Sequence, residues 1–127
     1  MKRETRPQTA AEDRRTPQRR QGDAGEAQAL AHLEQAGLRL VQKNFLCQGG
    51  EIDLIMQDRE TLVFVEVRSR ASASFGGALA SITPAKQRKW QHAAQVYLMG
   101  LRSQPACRFD VIAIEAGKIT WLQNVVL

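Results

Sequence analysis

Cysteine is scarce in this 127-residue chain, with Cys47 and Cys107 as the whole complement. With no CxxC spacing, the two thiols cannot build a metal framework of their own, and two reduced, packed thiols are the expectation. No stretch of about 18 apolar residues occurs, which excludes a membrane-spanning helix. The basic N-terminus is followed by no apolar run, so no secretory signal is legible and the expected localisation is cytoplasmic. Internal repeats are missing, and so is any zinc-finger spacing or helix patterned to read base edges.

What is present describes one ordinary domain. Hydrophobic residues make up 43% and charged residues 24%, values of a globular chain long enough to bury a core. The net charge of +5 is unevenly spread. Seven basic residues and only three acidic ones fall in residues 1–22, so nearly all the excess sits there. That segment is rich in Arg, Gln, Thr and Pro and poor in large apolar groups. It is expected to be a disordered basic tail able to add salt-sensitive affinity for nucleic acid. Residues 23–127 form the expected single domain.

The elements can be placed along it. Asp23 as N-cap with Glu26 three positions on gives a capping-box pattern, and Ala27, Leu30, Ala31 and Leu33 give an apolar side, so a helix is expected over Ala24–Ala36 ending at Gly37. Strands are expected at Leu38–Leu46, Glu51–Gln57 and Thr61–Ser69, broken by Gly49-Gly50 and by the turn Asp58-Arg59-Glu60. Arg70–Ile82 reads as a loop. Thr83 caps a second helix with Pro84 in its first position and a stripe of Trp90, Ala93, Ala94, Tyr97, Leu98 and Leu101. Strands at Arg108–Ile114 and Ile119–Val125 flank a turn at Ala116-Gly117. The order α-β-β-β-α-β-β implies an α/β fold, a mixed central β-sheet flanked by helices.

The second and third strands carry the chemistry. With Arg59-Glu60 as the loop they pair antiparallel and place Asp53 opposite Glu66, and Glu51 opposite Arg68. The other face, Ile52, Leu54 and Met56 against Val67, Val65 and Val63, is wholly apolar and expected in the core. Opposed residues sit about 4.5–5.5 Å apart at Cβ, where two carboxylates repel unless one is protonated or a cation lies between them. A hard cation, Mg²⁺ or Mn²⁺, would resolve that repulsion. So would ion pairing at an exposed rim with Arg70 or Arg108, while Glu51 with Arg68 could be a plain cross-strand pair. Lys86, Arg88 and Lys89 stand near the start of the second helix, where cations oppose the macrodipole unless an anion such as phosphate binds there.

Several segments in one order resemble the YraN-like bacterial family: Gly22-Asp23-Ala24-Gly25-Glu26, Gly50-Glu51-Ile52-Asp53-Leu54-Ile55, Phe64-Val65-Glu66-Val67-Arg68-Ser69-Arg70, Phe75-Gly76, Lys86 and Arg108-Phe109-Asp110-Val111. That family is placed in the PD-(D/E)xK nuclease superfamily, near Holliday-junction resolvases and restriction-type endonucleases. The resemblance implies a restriction-endonuclease-like core and a metal-dependent endonuclease acting on nucleic acid, structured or branched DNA in particular. It implies a metal site of Glu26, Asp53, Glu66 and the Val67 carbonyl, and catalytic roles for Asp53, Glu66, Arg68 and Lys86. Arg70, Arg88 and Lys89 would hold the nucleic-acid backbone, fixing position without reading sequence. The related resolvases cut as pairs, which leaves room for a homodimer.

One position departs from the superfamily pattern. Arg68 stands where a lysine is usual, and a guanidinium cannot act as a base, although it can stabilise charge developing on a phosphate. Lys86 could supply the amine from the second helix. The alternative is a catalytically weak or inactive nucleic-acid-binding module that keeps the nuclease fold, and a third reading is a protein-interaction domain with no affinity for metal or DNA.

Overall fold

The computed structural model describes residues 17–70 and 79–125. Its elements are α1 (Pro17–Gln35), β1 (Arg39–Cys47), β2 (Gly50–Asp58), β3 (Thr61–Arg70), a short 3-10 turn (Leu79–Ser81), α2 (Pro84–Met99), β4 (Ala106–Glu115) and β5 (Lys118–Leu122). Five strands form one sheet in the order β1-β2-β3-β4-β5. Every neighbouring pair is antiparallel except β3 with β4, which run parallel. A parallel pair needs a crossover, and the segment carrying α2 supplies it. The expected α/β class and element order are both present.

The two helices cover opposite faces of the sheet. Ala29 and Leu33 of α1 pack with Leu54, Met56, Val63, Val65, Val67, Ile112 and Ile114. Trp90, Ala93 and Ala94 of α2 pack with Ile55, Leu62, Phe64 and Val111. Strand alternation deals successive side chains to the two layers, so β2 and β3 are buried on both sides. Among the described residues no helix is long and apolar enough to cross a membrane. Cys47 and Cys107 are both free thiols.

Three sequence expectations change here. The first helix begins at Pro17 rather than Ala24, so Asp23 lies within it and cannot cap it. Pro17 opens the helix where a missing N–H costs no bond, and the Gln and Arg residues that follow are good helix formers despite their polarity. Residues 17–22 of the expected disordered tail are therefore helical, while residues 1–16 lie outside the described residues. The buried stripe of α1 also differs: Ala29 and Leu33 are buried and Ala27 and Ala31 exposed. Small alanines do not define a face. Gly25 marks it instead, because a β-carbon there would lie 3.1 Å from Ser69 Cβ on β3.

Ile52 is the third change. It packs under α2 with Ile55 and Phe64, away from Leu54 and Met56. The β2–β3 ladder runs from Asp58 with Thr61 to Leu54 with Val65, which leaves Ile52 and Asp53 beyond its paired register. Gly50 is pressed against α2, where a β-carbon would collide with the Lys89 carbonyl and crowd Ala93. The start of β2 is thus steered by the helix above it as much as by its neighbouring strand. The expected loop at 70–82 resolves at its ends, with Arg70 finishing β3 and a 3-10 turn at Leu79–Ser81, while residues 71–78 lie outside the described residues.

The far end of the sheet is tied by a buried polar network. Asp110 is fully buried. It accepts hydrogen bonds from Arg108 Nε at 3.0 Å, Trp121 Nε1 at 2.9 Å and the Asn124 N–H at 2.9 Å. Arg108 also donates to Asp58 Oδ2 at 3.0 Å, linking the β2–β3 turn to β4. Arg108 is therefore spent on this network rather than on Asp53 or Glu66. The β4–β5 turn has Ala116 and Gly117 both at positive φ, as a two-residue hairpin of matching twist requires. Removing one partner of a buried charged network strands the others, so Asp110→Ala should cost about 3–5 kcal/mol of stability in urea unfolding. A loss below about 1 kcal/mol would show that this network does not anchor β4 and β5.

Candidate functional site

The site lies where the β2–β3 ladder gives out. Asp53 is 8% exposed, and its Oδ2 accepts a hydrogen bond from the Val67 N–H at 2.8 Å. This side-chain bond takes the place of a ladder bond and fixes the carboxyl group across β3. Glu66, also 8% exposed, lies close enough to Asp53 for each carboxyl to influence the protonation of the other. The two acids thus converge, although the paired register ends one step short of them at Leu54 with Val65. Arg68 forms an ion pair with Glu66 through Nη2, so the cross-strand pair with Glu51 weighed in the sequence is not the one formed.

Electrostatics at this point are unbalanced. Burial pushes Asp53 above the usual carboxylate range, opposed by the Val67 hydrogen bond and the Arg68 charge. Glu66 is pushed up to about 8, by burial first and then by the Asp53 charge, with Arg68 pulling the other way. Arg68 brings one positive charge to two buried carboxyl groups. It can neutralise one of them, and the other holds a proton at neutral pH. Two close carboxyls that keep a proton in the absence of a cation form a donor set suited to a hard divalent ion. Such an ion needs only one or two protein carboxylates, the remaining positions going to water and phosphate. Asp53 and Glu66 are the side chains that could hold it.

Glu26 stands on α1 next to Gly25, near the end of β3. Among the described residues no three His, Cys, Asp or Glu side chains gather as a metal cluster, so Glu26 does not form a triad with Asp53 and Glu66 in this arrangement. Val67 enters the site through its N–H.

Glu66 and Arg68 open onto a cleft of about 670 Å³. Its floor is the end of β1 and start of β2, with Leu46, Cys47, Gly49, Gly50 and Glu51, and its other wall is Lys86, Lys89 and Trp90 of α2. Thr83 caps α2 by accepting the Lys86 N–H at 3.2 Å. Residues 86, 89 and 90 then share one helical side that faces the strand ends. His92 Nε2 lies 3.1 Å from the Gln48 carbonyl and ties the same helix to the β1–β2 turn. Lys86 is lowered from the usual lysine range, first by the nearby Arg68 charge, then by partial burial and Arg70. Of the other basic candidates, Lys89 lines the cleft. Arg70 is exposed at the end of β3 and donates to its neighbour's carbonyl, and Arg88 is exposed away from the cleft wall.

Trp90 was legible in the sequence only as a core residue, and Gly49 and Gly50 only as breakers. The signal for Trp90 was its position four residues after Lys86, on the same helical side. The glycines give no such signal, since Gly50 admits the Lys89 backbone and Gly49 the His92 ring, both from a distant element.

A raised Glu66 has a consequence for stability without metal. Its folded value of about 8 exceeds its ordinary value of 4.5, so the folded chain holds more protons than the unfolded one between them. Stability is full below the ordinary value and falls as pH climbs through about 8. Thermal unfolding in chelator should show the melting temperature dropping across that interval, and Glu66→Gln, neutral at every pH, should flatten the drop. Equal slopes in the two proteins would mean that Glu66 is ionised like a surface acid.

The chain's relatives agree with the extent of this core. Residues 25–114 match the profile described as "Uncharacterised protein family UPF0102". A UPF0102 protein of Janthinobacterium sp. (strain Marseille) is 54% identical over 112 residues, covering 88% of this chain and 91% of its own. One from Herminiimonas arsenicoxydans is 53% identical with 88% and 90% covered, and one from Albidiferax ferrireducens 59% identical with 80% and 83% covered. The matched span runs from α1 to the end of β4 and contains Asp53, Glu66, Arg68 and the α2 wall of the cleft. The chain is therefore a member of the UPF0102, or YraN-like, family.

Proposed function

We propose that this protein is a metal-dependent endonuclease that hydrolyses phosphodiester bonds in nucleic acid, with structured or branched DNA as substrate and Mg²⁺ or Mn²⁺ as cofactor. The observation that carries the reading is the convergence of Asp53 and Glu66, two buried carboxyls sharing one arginine. Its resemblance to the PD-(D/E)xK superfamily gives the reaction class.

In this reading Asp53 and Glu66 hold the ion, with the Val67 N–H orienting Asp53. The ion supplies a Lewis acid beside the scissile phosphate. With an ion held there, Arg68 would be released from Glu66, because both cations would compete for the same carboxylate, and would be free to meet the phosphate. Its guanidinium then stabilises the negative charge that grows on the phosphoryl oxygens. Lys86 stands beside Arg68 with an amine that gives up its proton more readily than a free lysine, which suits it, once neutral, to take the proton lost by the attacking water and pass it to the leaving oxygen. Lys89 and Arg70 track the neighbouring backbone, and Arg88 meets a longer stretch of the strand.

The ion pair between Arg68 and Glu66 also favours a second reading, a nucleic-acid-binding module with little turnover. There the arginine stays on Glu66 and blocks the cation.

One set of assays separates them. Purified protein should cut branched, flapped or single-stranded DNA in Mg²⁺ or Mn²⁺ and not in chelator. Asp53→Asn should lower the rate on the order of a hundredfold or more while the protein still melts cooperatively. Salt-sensitive binding without cutting, together with strong cutting by Arg68→Lys, would select the binding module. Undiminished cutting by Asp53→Asn and Glu66→Gln would place the reaction elsewhere.

A further inference from the structure

Two polar atoms near the cleft are buried and have no hydrogen-bond partner among the described residues: Arg68 Nε and Trp90 Nε1. Both belong to side chains that line the same cleft. Trp90 is 2% exposed, so its indole N–H is a donor withdrawn from water and left unanswered. The other indole offers an internal comparison, since Trp121 Nε1 donates to Asp110 Oδ2 at 2.9 Å.

What these donors lack is an acceptor, and the surroundings specify its charge. Arg68, Lys86 and Lys89 bring three cationic groups to one cleft, against the carboxyls of Glu51 and of Glu66, the latter already paired with Arg68. The first turn of α2 carries no acidic residue, and the sixteen-residue helix presents its positive end there. Four features therefore point at one missing group: two unanswered donors, clustered cations, a helix N-terminus and an open volume. Each is satisfied by an oxyanion.

We propose that this cleft is a phosphate subsite in which Trp90 Nε1 and Arg68 Nε donate to one phosphodiester of the bound strand while Lys86 and Lys89 balance its charge. The proposal rests on the nuclease reading for its choice of a nucleic-acid phosphate over a free anion. It makes Trp90 a positioning residue that holds the strand beside Glu66. Both donors are withdrawn from solvent, so binding of the strand requires the two side chains to turn toward the cleft that they line.

The test is spectroscopic and needs no cleavage. In ¹⁵N-labelled full-length protein the two indole N–H signals are told apart by Trp90→Phe, which removes one. A ten-nucleotide oligo(dT), added in chelator, should shift the Trp90 indole signal while the Trp121 signal stays. A methylphosphonate version of the same oligonucleotide, without backbone charge, should not shift it. Trp90→Phe should weaken oligo(dT) binding about tenfold, the scale of one hydrogen bond to a charged group. An unmoved Trp90 signal, equal movement of both indoles, or a response to inorganic phosphate alone would overturn the proposal. The first two results would leave metal-dependent cutting unaffected. Loss of cutting with a Trp90 response intact would instead sink the nuclease reading and keep the phosphate subsite.

Discussion

The proposed function depends on two acids held together where water has little access to them. Asp53 and Glu66 would repel if both were ionised, and each is costly to bury. Asp53 is fixed by the Val67 N–H and Glu66 by its place on a central strand. The cost is met in part by Arg68 and in part by a retained proton. In the proposed function a cation would take the place of that proton between the two carboxyls.

The rest of the fold can be read as support for that pair. Burial of β2 and β3 on both faces makes the two strands rigid, and α1 and α2 supply the two layers that bury them. At one end of the hairpin the Asp58–Arg108–Asp110 network closes the turn against β4. At the other the ladder stops at Leu54 and Val65, freeing Asp53 to bond across to Val67. Stiffness at the closed end and departure from the ladder at the open end together hold Asp53 beside Glu66, which lines the cleft. α2 contributes twice: its apolar side packs on Phe64 and Ile55, and the turn above that side carries the basic wall.

Much of this was legible from residue order, and the parts that were not have physical reasons. The β2–β3 register followed from one turn and strict alternation, and the observed pairs Ile55 with Phe64 and Met56 with Val63 are those the turn dictates. The start of α2 followed from Thr83 and Pro84, whose chemistry is local. Ile52 was misplaced because its face is set by Gly50 meeting the Lys89 carbonyl, a contact between distant segments. The beginning of α1 was misplaced because polar Gln and Arg carry helix propensity without an apolar period. The acid pair was visible, but the partner of Glu66 was not, since side-chain choice between Glu51 and Arg68, or Arg68 and Glu66, lies below what register alone decides.

The most direct test of the account is to locate the ion. Crystals of the protein soaked in Mn²⁺ should show one anomalous scattering peak within coordinating distance of both the Asp53 and the Glu66 carboxyl oxygens, with Arg68 displaced from Glu66. A peak elsewhere on the chain, or none with Arg68 still paired to Glu66 in saturating Mn²⁺, would contradict it.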